Sequence, residues 1–165
     1  MKILVLSDSH AGLSFMRHAI SSIKPDAVIH LGDYYDDAET MQEEFPHIAF
    51  HLVPGNCDRS RMYKIVPETL CYGVCGVRLL MTHGHVQGVK MDLGRLISDA
   101  KAMDVQAALY GHTHQADCHR EDDGLWVLNP GSCGSYGGSV GLMEVNEGKI
   151  ISCSILRQVD LEDYV

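Results

Sequence analysis

Long apolar runs are missing from these 165 residues. No segment approaches the roughly 18 consecutive apolar residues that a membrane helix requires, so a membrane partner is not expected. The N-terminal MKILVLSDSH carries one lysine and an apolar run too short for a signal-peptide core, with no small-residue cleavage site after it. The expected location is therefore the cytoplasm. Basic charge is scarce: 13 Lys and Arg stand against 22 Asp and Glu, a net charge of −9 with neutral histidines. Phosphate backbones are held by Lys and Arg, so a long nucleic acid is not the expected partner. A small phosphate ester stays open, because bound metal ions would supply local positive charge. Paired cysteine motifs are also lacking. Of Cys57, Cys71, Cys75, Cys118, Cys133 and Cys153, only Cys71 and Cys75 make a C-x-x-x-C, and no second pair matches it, which argues against a zinc ribbon. A core of this size needs no disulfide staples, so reduced thiols are expected. No repeat, low-complexity tract or linker divides the chain, and a single domain spanning 1–165 is expected.

What recurs instead is a short apolar run followed by a polar cluster. KILVLSDSH ends in Asp8 and His10, AVIHLGD in Asp33, and IAFHLVPGNCD in Asn56 and Asp58. VRLLMTHGH ends in His83 and His85, ALYGHTH in His112 and His114, and LWVLNPGS in Asn129 and Ser132. The runs are rich in Val, Ile and Leu and bounded by Gly or Pro, which suits buried strands. Helical spacing lies between some of them. Phe15, Met16, Ala19, Ile20 and Ile23 form one face, closed by Pro25. Val89, Leu93, Leu96, Ile97, Ala100 and Met103 predict a helix over 89–103, and AETMQEEF a shorter one. Strand and helix thus alternate in the first half, which points to an α/β fold with a largely parallel sheet. GLMEVNEGKIISCSIL predicts a hairpin around Asn146-Glu147-Gly148, and with it a second sheet or antiparallel edges.

Sites in open α/β sheets form at the carboxyl ends of strands, so the polar clusters would meet at one rim if the six strands lie side by side. Residues two apart share one side of a strand. If the extended conformation continues past the apolar run, Asp8 with His10, and His112 with His114, each aim two donors at one place. Imidazole and carboxylate suit divalent transition ions, and a carboxylate such as Asp33 has the oxygens to join two of them. A lone His or Asp after a strand is an ordinary turn residue; five such clusters in order are not explained that way. His18, His30, His47, His51 and His119 lack motif partners, and surface or satisfied-core roles are expected, with His119 in a polar loop. Asp36, Asp37, Glu39, Glu43 and Glu44 read as a solvated helix face with Asp36 nearest the site.

The ordered set D-S-H, G-D, G-N-C-D, T-H-G-H and G-H-T-H resembles the calcineurin-like metallophosphoesterases, and with NPGS most resembles their small prokaryotic phosphodiesterase (YfcE-like) branch. The motifs run from Asp8 to Ser132. The resemblance implies two packed β-sheets, mainly mixed, flanked by helices in an α-β-β-α sandwich. It implies two divalent ions, manganese first, with zinc, iron, nickel or magnesium as alternatives. Asp8, His10 and His114 would hold one, Asn56, His83 and His112 the other, and Asp33 would bridge them with a water or hydroxide that attacks phosphorus. Cys57 stands where many members have a histidine assigned to phosphate contact or leaving-group protonation. A thiol is a poor proton donor near neutral pH, so Cys57 is retained as a substrate contact, and His85 is either the replacement donor or a rim histidine behind the ligands. A diester presents a single negative charge, which favours small phosphodiesters over phosphomonoesters. Three further readings are a phosphomonoesterase, a nuclease of the double-strand-break repair type, and a non-catalytic platform like the retromer scaffold subunit. The acidic balance disfavours the nuclease, and retention of all seven ligand positions disfavours the scaffold. A homo-oligomer is compatible with all of these.

Overall fold

The computed structural model describes residues 1–58, 66–134 and 137–164. Ten strands make two five-stranded sheets. In the first sheet, β1 (Lys2–Leu6), β2 (Ala27–His30) and β3 (Ala49–Leu52) run parallel, and the hairpin β9 (Ser139–Asn146) and β10 (Lys149–Arg157) extends it antiparallel, giving the order β10-β9-β1-β2-β3. In the second, β5 (Val77–Thr82), β6 (Ala107–Leu109) and β8 (Trp126–Asn129) are the parallel core, and β4 (Thr69–Val74) and β7 (Asp117–Arg120) are antiparallel edges, giving β4-β5-β6-β8-β7.

Alternation within each central strand explains the layering. Ile3 and Val5 of β1 and Leu79 and Met81 of β5 enter one cluster between the sheets. Leu4 and Leu6 point the other way, onto Met16, Ala19, Ile20 and Ile23 of α1 (Leu13–Ile23). Leu80 and Ala108 pack on Leu96 and Ala100 of α3 (Gly94–Ala102). Strands buried on both faces must be apolar at every position, which is why these runs are nearly continuous. The expected sandwich of two mixed sheets between helices is therefore the fold observed. Lys24 closes α1 in a left-handed cap, its N–H on the Ile20 carbonyl, just before Pro25. At the β9–β10 turn both Glu147 and Gly148 have positive φ, as a primed hairpin turn demands. No helix among the described residues is long and apolar enough to cross a membrane.

Four expectations need correction. The six clustered strands do not lie side by side; three sit in each sheet. The helix of 89–103 starts only at Gly94, because Asp92 Oδ1 takes the Gly94 N–H at 2.8 Å and forms a turn before it, although Val89 still packs beside Leu80 and Leu96. The helix around residue 40, α2, begins earlier, at Tyr35, and ends at Glu44. Finally, His119 lies in β7, an edge strand whose sequence DCHR carries no apolar alternation.

The six cysteines are free thiols: Cys133 buried, Cys57 exposed, the other four half-buried. Cys118 of β7 and Cys153 of β10 hydrogen-bond to each other across the two sheets, which together with burial raises the Cys153 thiol. His51 Nδ1 and Tyr72 Oη, 2.9 Å apart, join the edge strands β3 and β4 in the same way.

Candidate metal centre

The polar clusters converge at one rim, where the carboxyl ends of β1, β2 and β3 face those of β5 and β6. The backbone does not stay extended there. Asp8 (φ 54), His10 (φ 44), Asp33 (φ 58), His112 (φ 69) and His114 (φ 59) all adopt left-handed conformations. The i, i+2 pairs are thus aimed by tight turns beyond the strands, rather than by a continued pleat. Such conformations cost free energy for non-glycine residues and concentrate at functional sites.

Close backbone approach requires glycine at two points. A Cβ on Gly111 would collide with Ser7 Oγ and Asp8 Oδ2, and one on Gly55 with Asp33 Oδ1. Asp8 Oδ2 accepts from Ser7 Oγ at 2.6 Å and from the His112 N–H at 3.1 Å, so the GHTH turn of one sheet docks on a carboxylate of the other. Asn129 donates to the Gly111 carbonyl and Thr113 Oγ1, and Ser132 Oγ donates to the Asp8 carbonyl. The NPGS segment therefore ties both ligand turns together. Asp58 does the same elsewhere: its carboxylate takes the N–H groups of Asp33 (3.0 Å), Tyr35 (2.9 Å) and Gly55 (2.8 Å).

Two donor groups result, each with ligand atoms within 4.8 Å of one another: Asp8, His10 and His114, and Asp8, Asp33 and His83. In the first, His114 Nε2 lies 3.1 Å from Asp8 Oδ1 and 3.4 Å from His10 Nε2. In the second, His83 Nε2 lies 3.5 Å from Asp33 Oδ1, 4.0 Å from Asp8 Oδ1 and 3.1 Å from Asn56 Oδ1. The His112 ring stands edge-on to His83, with centroids 4.9 Å apart. All seven expected positions are thus brought together, and Asp8 is the carboxylate common to both groups.

The donor set fits divalent cations. Asp8 Oδ1 is buried with no hydrogen-bond partner among the described residues, although His114 is close. An uncompensated buried oxygen is costly unless a cation takes it. His83 donates Nδ1–H to the Leu31 carbonyl at 2.8 Å, which leaves the Nε2 lone pair facing Asn56, Asp33 and Asp8. Burial, followed by its histidine neighbour His83 and by Lys90, pushes His112 down to about 4. Burial likewise lowers His83 despite Asp8 and Asp33. Neutral imidazoles are the form that ligates metals. Burial opposes ionisation of Asp33, but His83, the Cys57 N–H and thiol, and His10 outweigh it and hold the carboxyl below its ordinary value.

Cys57 Sγ lies in this shell, and burial, then its hydrogen bond to Asp33, push the thiol up to about 11. It holds its proton firmly, consistent with a contact role and not with a ready acid. His85 sits 5.4 Å from the His83 ring and 6.1 Å from that of His112, with Nε2 3.1 Å from Glu68 Oε1. Glu68 is a participant that carries no sequence signal; it precedes β4, itself unexpected. Asp37 of the acidic run reaches the site loop, accepting from Ser9 Oγ at 2.7 Å and the Ala11 N–H at 2.8 Å. Of the remaining histidines, His18 is exposed, His47 packs edge-on to Phe45, and His119 pairs with Asp117. His30 is buried but only half satisfied: Nδ1 accepts the Gly32 N–H, and Nε2 has no partner among the described residues.

Comparison with known proteins points to one family. Residues 1–148 match the family model described as the calcineurin-like phosphoesterase superfamily domain. A Bacillus subtilis protein named "Probable metallophosphoesterase YsnB" is 31% identical over 135 residues, 80% of this chain and 75% of that one. A phosphodiesterase of Methanocaldococcus jannaschii is 29% identical over 152 residues, 82% of this chain and 86% of that one. Among solved structures, Vps29 from Entamoeba histolytica, complexed with zinc, shares the fold at a TM-score of 0.70 and 22% identity, over 95% of this chain and 99% of that one.

Proposed function

Because the chain belongs to the calcineurin-like phosphoesterase superfamily, whose members imply divalent metal ions, we propose that it hydrolyses small phosphodiesters at a centre of two such ions. The observation that carries this reading is the buried Asp8 Oδ1, without a hydrogen-bond partner among the described residues, set between two groups of ring nitrogens and carboxylate oxygens. Asp8, His10 and His114 would hold one ion; Asn56, His83 and His112 the other; Asp33 would serve both. Bound ions would acidify water and neutralise phosphoryl charge. Manganese is the first choice for both positions.

The chain's own residues set the rest. Asn56 is a neutral ligand and adds no further negative charge to a site that must accept an anionic ester. The Cys57 N–H donates to the Asp33 carboxylate and the Asp33 N–H donates to the Asp58 carboxylate, which fixes the donors before substrate arrives. His85, oriented by Glu68, is the candidate proton donor to the leaving oxygen, while Cys57 contacts the substrate. The acidic balance, with net charge −9, favours a small ester over a long nucleic acid. The same reading places the enzyme in the cytoplasm and is compatible with a homo-oligomer.

A substrate panel tests it. Chelated protein should be inactive on bis-p-nitrophenyl phosphate and its phenylphosphonate analogue, and Mn²⁺ should restore turnover. Asp33→Asn and His112→Ala should not respond to added metal. Activity confined to p-nitrophenyl phosphate would make the protein a phosphomonoesterase instead. The likeness to Vps29 supports a second reading, a non-catalytic platform of the same fold; metal uptake without turnover of any ester would favour it.

A further inference from the structure

Two adjacent tyrosines open α2 and meet opposite fates. Tyr35 is 9% exposed and packs with Ala38 and Leu52, whereas Tyr34 is 44% exposed at the mouth of the metal centre. Its backbone is left-handed, φ 67 and ψ 58, a conformation that glycine or asparagine adopts far more readily than tyrosine. The conformation is held from both sides. Asp58 takes the N–H groups of Asp33 and Tyr35, and the Tyr34 carbonyl accepts the Asp37 N–H at 3.0 Å. The clamp that positions Asp33 therefore also fixes an aromatic ring beside the site. That ring lies 5.0 Å from His10, centroid to centroid, at 65°. An edge contact of this kind covers at most one face of the phenol, and much of the ring stays in solvent.

On the premise that the site hydrolyses phosphodiesters, we propose that Tyr34 is a specificity residue that stacks on a planar aromatic substituent of the ester, a nucleobase or an aryl group. His10 is a donor to the first ion group, so Tyr34 stands one ring away from the place where the phosphoryl group would sit. A substituent on that phosphorus would face the exposed Tyr34 ring beside His10. Every base and aryl ring presents a π-face, so stacking selects for aromaticity and not for one base.

The test compares two diesters with the same leaving group in metal-loaded protein, phenyl p-nitrophenyl phosphate and methyl p-nitrophenyl phosphate. Wild type should prefer the phenyl ester in kcat/KM. In Tyr34→Ala that preference should fall about tenfold, with the loss carried by KM, and Tyr34→Phe should restore it. A preference unchanged in Tyr34→Ala overturns the proposal. If the wild type turns over neither ester, the phosphodiesterase premise has failed, and binding still decides the stacking. Adenosine 5′-monophosphate should bind the metal-loaded protein more tightly than ribose 5-phosphate by calorimetry, and the difference should vanish in Tyr34→Ala. Equal affinities in wild type overturn the stacking contact itself.

Discussion

Asp58 illustrates how much of the site is held by side chains that would never touch substrate. One carboxylate satisfies three backbone N–H groups, on Asp33, Tyr35 and Gly55. Hydrogen bonds to a charged group contribute about 1.5–3 kcal/mol each, and removing the acceptor leaves the donors unpaired. Asp58→Ala should therefore lower metal affinity about 10–100-fold, the usual effect of losing a group that orients a ligand. Asp58→Asn, which keeps one acceptor oxygen, should recover part of it. Calorimetric titration with Mn²⁺ measures both; an affinity unchanged in Asp58→Ala would sink the positioning role. At this scale the candidate ligands were legible because histidine and aspartate after apolar runs are chemically conspicuous. Glu68 and Asp37 were not. A carboxylate before an unrecognised strand or in the first turn of a helix looks like any solvated acid.

Elements deliver those residues through turns that periodicity does not describe. The sequence pattern placed Asp8 with His10, and His112 with His114, by supposing a strand that continues; the chain instead enters left-handed turns at each. The pairs still meet, because turn and strand both bring residues two apart near one another, but the space between elements becomes tight. Gly111 is the clearest case. Its missing Cβ makes room for Ser7 Oγ and Asp8 Oδ2, so the second sheet approaches the first closely at this turn. Gly111→Ala should cost about 1–3 kcal/mol, the range for an overpacked contact, and should lower metal affinity with it. Gly73→Ala in β4, whose added Cβ would meet only the Val77 carbonyl at 4.0 Å, should be close to neutral. Urea denaturation of both variants separates local crowding from a general penalty on losing glycine. Edge strands β4 and β7 escaped the sequence for a related reason. Half-exposed edges need no continuous apolar run, so TLCYGV and DCHR lack the signal that marks the central strands.

At the scale of the molecule, the site is a seam. Asp8, His10, Asp33 and Asn56 follow strands of the first sheet, while His83, His112 and His114 follow strands of the second. The apolar runs marked buried strands of an α/β fold, and the family resemblance supplied the two-sheet sandwich, but neither could say which strands share a sheet; a strand apolar at every position fits either. A cation in the seam binds only when both sheets are in place, so it should stabilise the fold as a whole. At a free ion concentration 100 times Kd the gain is about 2.7 kcal/mol. For a chain of this size that is a rise in thermal midpoint of about 5–10 °C. Protons act in the opposite direction on the metal-free protein. Burial, then His83, push His30 down to about 3, and burial holds His112 at about 4. Above about pH 6.5 these histidines are neutral whether folded or unfolded. As pH falls below that value, the unfolded chain takes protons that the folded chain refuses until about 4 and then about 3. The unfolded state thus binds more protons throughout that window, and stability falls as pH falls. Thermal melts of chelated protein from pH 8 to pH 4.5 should show a midpoint that is level at first and declines below about 6.5. His30→Leu should make the decline shallower whatever its absolute midpoint. A midpoint that stays level to pH 4.5 in wild type would mean that His30 and His112 find protonated states the packing around them does not provide, and a midpoint indifferent to Mn²⁺ would mean that the two sheets do not close on an ion at all.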